Sequence, residues 1–434
     1  MKTQNRFQIV LFLFSCFFAL FILISPDLFA STRMIIPGEL DSESFLEYKG
    51  LVIDQKTRTP LAFANITIAG TNISTVANTE GVFLLKIMKD VPKGKIIVSF
   101  IGYKNKTLVL ADLKPEKSVI ELEQTTIQLP EVNVISKDAA ALMRAVMDKK
   151  GDNYSNDPSN MTAFYRETIK KNRTYVSLSE AVVDIYKQPY TSSKTDIVSM
   201  FKARKKADYS KLDTINFKLM GGPFNSLYLD VMKNPDIVFT ENMLGNYEFS
   251  FDRSTHMDNR LIYVLNFKQH SDLTEPLYYG KLYIDAQSLA MKSAVFNLNV
   301  ENKDLAARMF IMKKPLNARV YPIEAAYRID YREKDGKWYY GYSRIELGLK
   351  INWKKKLFNT TYFSTLEMAV TDWYRNAEIK AVKSKERLKP SVVIADEASG
   401  FSEPDFWGEY NVIEPEKSIE TAIRKIQKKL QKAD

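Results

Sequence analysis

The sequence is poor in cysteine and histidine, with one Cys and two His among 434 residues. The single cysteine, Cys16, lies inside an apolar N-terminal stretch, so removal of that stretch leaves a chain without thiols. Such a chain has neither disulfides nor cysteine-ligated metal sites, and it depends on packed cores for its stability. About 400 residues are enough for two or three cores.

The usual motifs of zinc peptidases and of nucleophilic hydrolases are also missing. A zinc carboxypeptidase needs an H-x-x-E pair and a distant second His, but neither His256 nor His270 begins H-x-x-E. No G-x-S-x-G is present to hold a serine on a strand-to-helix turn, and Gly221-Gly222 favours a turn over a phosphate loop. We therefore expect a non-enzymatic protein with no catalytic residue, no metal and no cofactor.

A glycosidase is the enzyme class that this reasoning leaves open, because it needs two acids at the right separation and no local motif. Glu403, Asp405 and Glu409 lie around the aromatic pair Phe406-Trp407. The ring of Trp407 suits stacking on a sugar and makes this residue a surface-binding candidate. Acids beside aromatic residues are equally typical of a turn that caps a core, and both interpretations stay open.

A charged start followed by an apolar run marks the N-terminus as an export signal. Residues 7–24 are almost entirely apolar, and the small residues Ala30 and Ser31 favour cleavage between them. Residues 1–30 are therefore predicted to be a signal peptide. The apolar run also approaches the ~18 residues of a minimal spanning helix, so a retained N-terminal anchor is the alternative.

Basic residues outnumber acidic ones, and the formal net charge is +10. Residues 137–434 carry +9 of this charge, whereas residues 47–136 carry +2. Such an excess suits an anionic partner, for example a phospholipid surface or an acidic glycan. For an exported chain we also consider an envelope protein as partner, and we expect no nucleic acid; the sequence leaves the oligomeric state open.

The stretch WKKKLF at residues 353–358 has the most specific pattern among the basic clusters. Trp353 precedes Lys354, Lys355 and Lys356, and a phenylalanine closes the stretch. Aromatic residues beside lysines are typical of proteins that touch lipid headgroups. These four residues are therefore surface-binding candidates, although the stretch also fits an ordinary hairpin whose aromatic residues lie on the core.

Residues 31–46 lack a sustained period and are predicted to be a linker. From residue 47 to residue 136 short β runs alternate with turn signals such as KTRTP and NTEG, without a helical pattern between them. This spacing predicts a sandwich of seven or eight antiparallel strands. The strand KIIVSFIGY is apolar on both faces, which predicts a central position in its sheet.

Five pieces of this region resemble a known family when they are taken in order. They are GLVID, TRTPLAFANITIAGT, TEGVFLLKI, VSFIGYKNKTLVL and LPEVNVIS. Residues 48 to about 135 thereby resemble the carboxypeptidase-like regulatory domain, a transthyretin-like sandwich abundant in envelope proteins of the Bacteroidetes. The resemblance implies an accessory domain and brings no established activity. Gly81 is expected to supply a positive φ at the turn before the strand VFLLKI.

Residues 137–410 begin with a predicted helix, 137–150, and continue as long strands rich in aromatic residues. Asp335-Gly336 is the strongest short hairpin signal in the chain. This pattern predicts a larger curved antiparallel sheet with flanking helices, so the chain as a whole is predicted to be mainly β. In FYRET, Arg166 could pair with Glu167 or with another acid, but strand alternation places Arg166 and Glu167 on opposite faces, so no contact between these two is expected.

Helical spacing of isoleucine and leucine near the C-terminus predicts that residues 411–434 are an amphipathic helix. Taken together, these features favour an exported accessory protein with a binding or scaffolding role at the periplasmic or outer-membrane surface; location at the cell surface or on an N-terminal anchor is less favoured. One alternative is a carrier of a lipid or other hydrophobic ligand, since the hairpins of the second region resemble the half-barrels of bacterial lipoprotein carriers. The other alternative is the glycosidase-like hydrolase.

Overall fold

The fold was analysed in a computed structural model that describes residues 45–89, 94–125, 138–207, 219–311, 316–354, 359–375, 383–398 and 406–430. Seven short strands form an N-terminal sandwich, and eleven further strands form one large antiparallel sheet. The prediction of a mainly β protein with these two parts is confirmed.

The sandwich consists of a three-stranded sheet, in the order β4-β1-β7, and a four-stranded sheet, in the order β3-β2-β5-β6. The strands are β1 Phe45–Asp54, β2 Asn65–Ile68, β3 Ser74–Val76, β4 Val82–Met88, β5 Lys95–Ser99, β6 Lys106–Val109 and β7 Glu116–Leu122. Strand β5 lies between β2 and β6, with Ile96 and Val98 fully buried. Its predicted central position is confirmed.

One pairing in the sandwich differs from the antiparallel pattern. Strand β7 lies parallel to β1, with Leu51 opposite Val119 and Ile53 opposite Glu121. The chain reaches β7 from the second sheet, so that β7 enters on the free side of β1 and runs in the same direction. Parallel neighbours need such a crossover, whereas the tight hairpins read from the sequence join antiparallel strands only.

The turn before β4 has the conformation that the sequence predicts. Gly81 has φ +75°, and Asn78 Oδ1 accepts hydrogen bonds from the backbone N–H groups of Glu80 (2.9 Å) and Val82 (3.0 Å). Beyond the turn, Phe83 and its alternate neighbours on β4 are buried in the sandwich core. Gly81 therefore connects an Asn-capped turn to a core strand.

Two of the sequence pieces that carry the family resemblance meet at Asp54. The Tyr103 hydroxyl, from IGY, donates a hydrogen bond to Asp54 Oδ2 at 2.7 Å, and Gln124 Nε2 donates to the same oxygen at 2.9 Å. Asp54 closes GLVID at the end of β1. The backbone N–H of Thr57 and the Tyr103 hydroxyl lower the pKa of Asp54 to about 2, so that it stays ionised at neutral pH.

The large sheet has the order β10-β9-β8-β18-β17-β16-β15-β14-β13-β11, with β12 paired to β13. Its strands are β8 Ser159–Lys171, β9 Thr174–Lys187, β10 Ile197–Ala207, β11 Tyr247–Phe251, β12 Thr255–Met257, β13 Arg260–Gln269, β14 Tyr278–Asp285, β15 Met291–Leu298, β16 Ala318–Lys334, β17 Lys337–Trp353 and β18 Thr360–Arg375. Asp335 and Gly336 both have positive φ at the β16–β17 turn, as the hairpin signal predicts.

The described helices are short apart from α1, α5 and α7. They are α1 Ala139–Asp148, α2 Lys150–Asn153, α3 Pro223–Tyr228, α4 Glu241–Leu244, α5 Lys303–Phe310, α6 Ile394–Glu397 and α7 Lys417–Leu430, with single 3-10 turns at Leu110–Asp112, Pro235–Ile237 and Ser384–Glu386. Helix α1 begins at the cap Asp138, whose side chain accepts a hydrogen bond from Ala140 N–H at 2.8 Å. It buries Leu142, Met143 and Val146 in the main core.

One face of the large sheet is covered by helices and loops of the same chain, and we call it the helix-covered face. Its core contains the largest described cluster of buried apolar side chains, including Tyr154, Tyr190 and Phe239. A buried cation, Lys187, lies within this core and pairs with Asp196 at 2.8 Å and Asp230 at 2.9 Å. The two carboxylates compensate the desolvation of the ammonium group.

The opposite face of the sheet carries the sandwich, and residues 406–416 pass between the two. Lys86 N–H of β4 donates to Asn411 Oδ1 (2.7 Å), and Asn411 Nδ2 returns a hydrogen bond to Lys86 O (3.0 Å). Asn78 Nδ2 donates to the carbonyl oxygen of Glu414 at 3.0 Å. Helix α7 therefore begins at Lys417, because residues 411–416 of the predicted helix use their polar groups along the sandwich instead.

A row of alternating charges crosses five strands beneath this segment. Directly opposite one another on β10, β9, β8, β18 and β17 lie Arg204, Glu180, Arg166, Glu367 and Arg344. Arg166 Nε donates to Glu180 at 2.7 Å, and its Nη2 donates to Ile413 O at 2.6 Å. The acids that Arg166 contacts are thus Glu180 and Glu367, on the two neighbouring strands. We call this row the charge ladder.

The charge ladder is buried, and Arg166 is only 1% exposed. Burial would lower the pKa of Arg166, but Glu180 and Glu367 more than offset this effect and raise it. The ion pair also changes the pKa of the acid. Burial would raise the pKa of Glu180, but the charges of Arg166 and Arg204 hold it below its usual range. Each charge in the row therefore depends on its neighbours.

Gly81→Ala is expected to destabilise the protein more than Gly70→Ala. Both glycines have positive φ, but a Cβ at Gly81 would lie 2.6 Å from the carbonyl oxygen of Val52, whereas a Cβ at Gly70 meets no atom within 4 Å. The Gly70 variant therefore measures the backbone cost alone, about 1 kcal/mol, and the Gly81 variant adds a steric clash. Urea unfolding measures both, and equal losses would contradict the clash.

Arg166→Met is expected to lower the free energy of unfolding by about 3–5 kcal/mol, because it leaves Glu180 and Glu367 buried without their central cation. The control is Arg253→Met at an exposed loop position, where a change within about 0.5 kcal/mol is expected. Denaturant unfolding of both variants tests the prediction. A stable Arg166→Met variant would show that the charge ladder is dispensable.

Candidate functional site

Five stretches of the large domain meet at one end of the sheet, and we call this region the basic end. They are residues 170–174, 301–311, 316–321, 350–354 and 359–361. Strand register brings them together: Lys171 lies opposite Tyr362, Ile351 opposite Thr360, and Ala318 opposite Trp353. Lys354 N–H donates to Asn317 O at 3.0 Å, which joins the end of β17 to the start of β16.

Helix α5 lies against β16 and adds its own cations to the basic end. Asn302 caps this helix, and its side chain accepts a hydrogen bond from Leu305 N–H at 3.3 Å. Arg319 Nη2 of β16 contacts both oxygens of Asp304, at 3.1 and 3.2 Å. The cap and the ion pair place the first turn of α5 beside the start of β16.

The basic end concentrates positive charge. Its five stretches contain eight Lys or Arg residues and two Asp or Glu residues, a net of +6. The cations are Lys170, Lys171, Arg173, Lys303, Arg308, Arg319, Lys350 and Lys354. More than half of the formal charge of the chain therefore lies in five short stretches that the fold brings together.

Aromatic rings hold several of these cations in place. Lys170 Nζ lies 4.4 Å from the ring centroid of Tyr175. Lys303 Nζ and the Arg319 guanidinium lie 5.1 and 5.6 Å from the ring centroid of Tyr321. Cation–π contacts of this length orient the charges at a modest gain in free energy, about 0.5–1 kcal/mol each at exposed sites.

Apolar side chains project among the charges. Leu316 is 99% exposed and Met309 is 49% exposed. Both lie beside the cationic residues of α5 and β16. An ordinary solvent-exposed face would carry polar side chains at these positions. An exposed leucine surrounded by cations is the combination that inserts into an anionic lipid surface.

The structure divides the predicted surface-binding residues. Trp353 and Lys354 lie at the basic end: Lys354 is exposed, and Trp353 packs partly against Ile351 and Tyr362. Lys355 and Lys356 lie outside the described residues, as do the predicted cleavage residues Ala30 and Ser31.

Trp407 was predicted as a surface residue, and this prediction is wrong. Its side chain is buried between the sandwich and the large sheet. The ring meets Phe164 edge-on, with centroids 5.5 Å apart, and Arg204 lies 4.7 Å from its centroid. The turn that contains Trp407 folds under the sandwich because its aromatic side chains complete the core at the junction.

Most of the basic end was missed at the sequence level. Lys170 and Arg173 are close in the chain to one another but about 150 residues from Arg319, and only strand register brings them together. A local signal was present in the KKNRT turn and in the exposed leucine of KKPLN. Neither stretch indicates that the other lies nearby, so the composite surface can be identified only from the fold.

The N-terminal sandwich is similar to a known family of domains. The family model described as the CarboxypepD_reg-like domain matches residues 48–134. Residues 48–134 form a CarboxypepD_reg-like domain. The resemblance read from the sequence is thereby confirmed for this region, and the contacts of Asp54 with Tyr103 show how two of its motifs hold each other.

The search of curated proteins gives no match to any part of the sequence. Among solved structures, a DUF1329 family protein from Desulfovibrio piger ATCC 29098 is 11% identical, with 56% of this chain and 96% of that chain covered and a TM-score of 0.22. A putative outer membrane lipoprotein-sorting protein domain from Vibrio parahaemolyticus is 8% identical, with the same coverages and a TM-score of 0.26. Lipovitellin is 9% identical over 54% of this chain and 27% of that chain, with a TM-score of 0.23. Similarities at this level carry no argument about function.

The described residues also bear on the hydrolase alternative. Glu409 is partly exposed beside the buried Trp407, whereas Glu403 and Asp405 lie outside the described residues. His256 is on β12 near the CarboxypepD_reg-like domain, and His270 Nδ1 lies 3.5 Å from Glu248. In the described part of the chain, no three His, Cys, Asp or Glu side chains are grouped to hold a metal ion.

No helix in the described ranges is both long enough and apolar enough to cross a membrane.

One buried acid has a pKa near neutrality. Burial raises the pKa of Glu167 to about 7; the hydrogen bond from Tyr165 (2.9 Å) opposes this shift, and the charge of Asp396 adds to it. A pKa near 7 suits a general acid. The side chain is only 4% exposed, however, so a substrate has no access to it in this conformation.

Glu167→Gln is expected to raise stability above neutral pH. The folded-state pKa of about 7 lies above the ordinary 4.5, so the carboxyl's contribution is fully present below about pH 4.5 and is lost as the pH rises through 7. The variant should gain a few kcal/mol at about pH 8 and little at about pH 4.5. Urea unfolding at both pH values measures this difference.

The control for this prediction is Glu180→Gln. Glu180 pairs with Arg166 and Arg204, so its substitution should lower stability at about pH 8, opposite in sign to Glu167→Gln. If Glu167→Gln also lowers stability at that pH, the folded protein stabilises the carboxylate of Glu167 and its pKa is not raised.

Proposed function

We propose that this protein binds peripherally to an anionic lipid surface of the cell envelope through the basic end of its large sheet. The observation that carries the proposal is the convergence of eight cations with the exposed Leu316 at one end of one rigid sheet. The role is non-enzymatic, and the lipid surface is the partner.

Charge and apolar insertion act together in this proposal. A cation close to an anionic bilayer contributes about 1 kcal/mol, and this attraction weakens with salt. Leu316 and Met309 add a contribution that is less sensitive to salt, since it comes from apolar burial. Stable peripheral binding needs two such signals, and the basic end offers both.

The compartment belongs to the same proposal. The predicted signal peptide at residues 1–30 supports export, and the periplasm or the periplasmic face of the outer membrane then supplies the anionic surface. An exported chain without thiols in its mature part gains no disulfides there. The buried charge ladder and the apolar core at the junction of the two domains stabilise the fold in place of disulfides.

A scaffolding role follows from how the CarboxypepD_reg-like domain is held. Residues 406–416 hydrogen-bond to both Lys86 and Asn78 of that domain, while Ile413 O accepts from Arg166 of the large sheet. The domain therefore has one orientation on the sheet. Docking of the basic end on a bilayer sets the direction in which the domain faces, as a platform for an envelope partner requires.

The carrier alternative receives less support. A carrier would hold an acyl chain on the apolar face of the sheet, but that face is occupied by the protein's own side chains, including Tyr154, Phe239 and Met232. A ligand would have to displace buried aromatic residues and the Lys187 ion pairs. We therefore do not propose a carrier function.

Reversal of two charges at the basic end tests the proposal. The double variant Arg173→Glu, Lys354→Glu should bind phosphatidylglycerol-containing vesicles at least about tenfold more weakly than the unmodified chain, since each reversal replaces an attraction by a repulsion. The measurement is vesicle co-sedimentation at low and at physiological salt. Leu316→Ser should weaken binding at both salt concentrations.

The matched control is Lys56→Glu, Lys89→Glu, which makes the same change in net charge at exposed positions of the CarboxypepD_reg-like domain. This variant should bind the vesicles nearly as well as the unmodified chain. An equal loss in the two double variants would show that net charge alone drives binding. Equal binding to pure phosphatidylcholine vesicles would show that headgroup charge has no role, and either result would overturn the proposal.

A further inference from the structure

A groove lies on the sandwich-facing side of the large sheet, beyond the part that the CarboxypepD_reg-like domain covers. Its floor is formed by β11, β13, β14 and β15. One row of side chains across these strands is Glu248, Lys268, Tyr279 and Asn297, which the register places opposite one another. The alternate residues, such as Phe267 and Phe296, point into the main core.

The groove has a volume of about 540 Å³, within the range of small-molecule sites. Gly280 allows the close approach of strands that shapes it. A Cβ at this position would lie 2.2 Å from the carbonyl oxygen of Val295 on β15. Only glycine fits here, so the floor of the groove is set by the backbone.

The charges that line the groove are already paired. Lys268 Nζ lies 2.9 Å from Glu248, and Lys281 Nζ lies 2.7 Å from Asp252. An ionic ligand would have to compete with these pairs for its counter-charge. The electrostatic complement of the groove is therefore a ligand that is polar but uncharged.

The remaining groups suit a ligand rich in hydroxyl groups. Tyr279 is 46% exposed and presents an aromatic ring for stacking. Asn266 and Asn297 offer amide donors and acceptors, and Ser250 offers a hydroxyl. Pyranose sugars have both an apolar ring face and a rim of hydroxyl groups, so that stacking and hydrogen bonding act on one ligand.

The middle strands of the floor give no place for a peptide strand, whereas β11 is the edge strand of the sheet. Strands β13 and β14 each have hydrogen-bonded neighbours on both sides, so their N–H and C=O groups are used within the sheet. An extended peptide adds to a sheet at a free edge. Recognition inside the groove has to come from side chains, which favours a sugar over a peptide.

We infer that this groove binds a neutral oligosaccharide, with Tyr279 as the stacking platform and Asn297 as a hydrogen-bonding partner. The inference is independent of lipid binding, because the groove residues do not belong to the basic end. It adds a second binding surface to the protein and defines the ligand by chemical class.

The test uses the full chain and isothermal titration with neutral oligosaccharides of glucose, mannose and N-acetylglucosamine. We expect saturable binding of at least one of them, weakened about tenfold by Tyr279→Ala and measurably by Asn297→Ala. The control is Tyr374→Ala, a tyrosine on β18 outside the groove that is 56% exposed, which should leave binding unchanged. Tyr279→Ala should also leave vesicle binding unchanged, so that failure of this inference and failure of the lipid proposal are separate results.

Three results would overturn the inference. One is the lack of binding to all three sugars, and another is binding that Tyr279→Ala does not weaken. The third is tighter Tyr279-dependent binding of an extended peptide or of an acidic oligosaccharide such as a polyuronate. The last result would show that the ion pairs of the groove open to a charged ligand.

Discussion

The arrangement of the two domains depends on Arg166, because its buried contacts join the large sheet to the segment beneath the CarboxypepD_reg-like domain. It joins Glu180 and Glu367 on the two neighbouring strands and also binds the carbonyl oxygen of Ile413 in the segment beneath the CarboxypepD_reg-like domain. Buried charges are costly unless each has a partner. The register of five strands and the path of residues 406–416 therefore have to be right at the same time, which couples the sheet to the domain above it.

The sequence predicts the parts of this structure that local patterns encode. Gly81, the Asp335-Gly336 hairpin and the central position of β5 all follow from turn chemistry and alternation, and the structure confirms them. The parallel pairing of β1 with β7 and the burial of Trp407 were not predicted, since both depend on contacts between residues far apart in the chain. A tryptophan beside acids has the same local pattern at a sugar site and at a domain junction, and tertiary packing decides between the two.

The candidate site shows the same division. Trp353 and Lys354 were identified from a local pattern, whereas Leu316, Arg319 and Arg173 join them only through the ends of three strand pairs. In a β protein, strand register therefore decides which charged residues lie together. Residues that are far apart in the chain meet at hairpin ends and form surfaces that a short stretch of sequence does not reveal. The groove beside the CarboxypepD_reg-like domain is a second surface of this kind, since its row of side chains is contributed by four strands.

Residues 406–416 have a consequence for how the protein is assembled. They follow the whole large sheet in the chain, yet they supply Asn411 to β4 of the CarboxypepD_reg-like domain and Phe406 and Trp407 to the core at the junction. Domains tend to fold in the order in which they are made, so the N-terminal domain can fold early and contact the sheet directly, as Gly102 N–H does at His256 O, before this late segment completes the junction. The junction is thereby completed last, since a chain that stops before this segment keeps the direct contacts of the sandwich with the sheet but lacks the hydrogen bonds of Asn411 and the packing of Trp407.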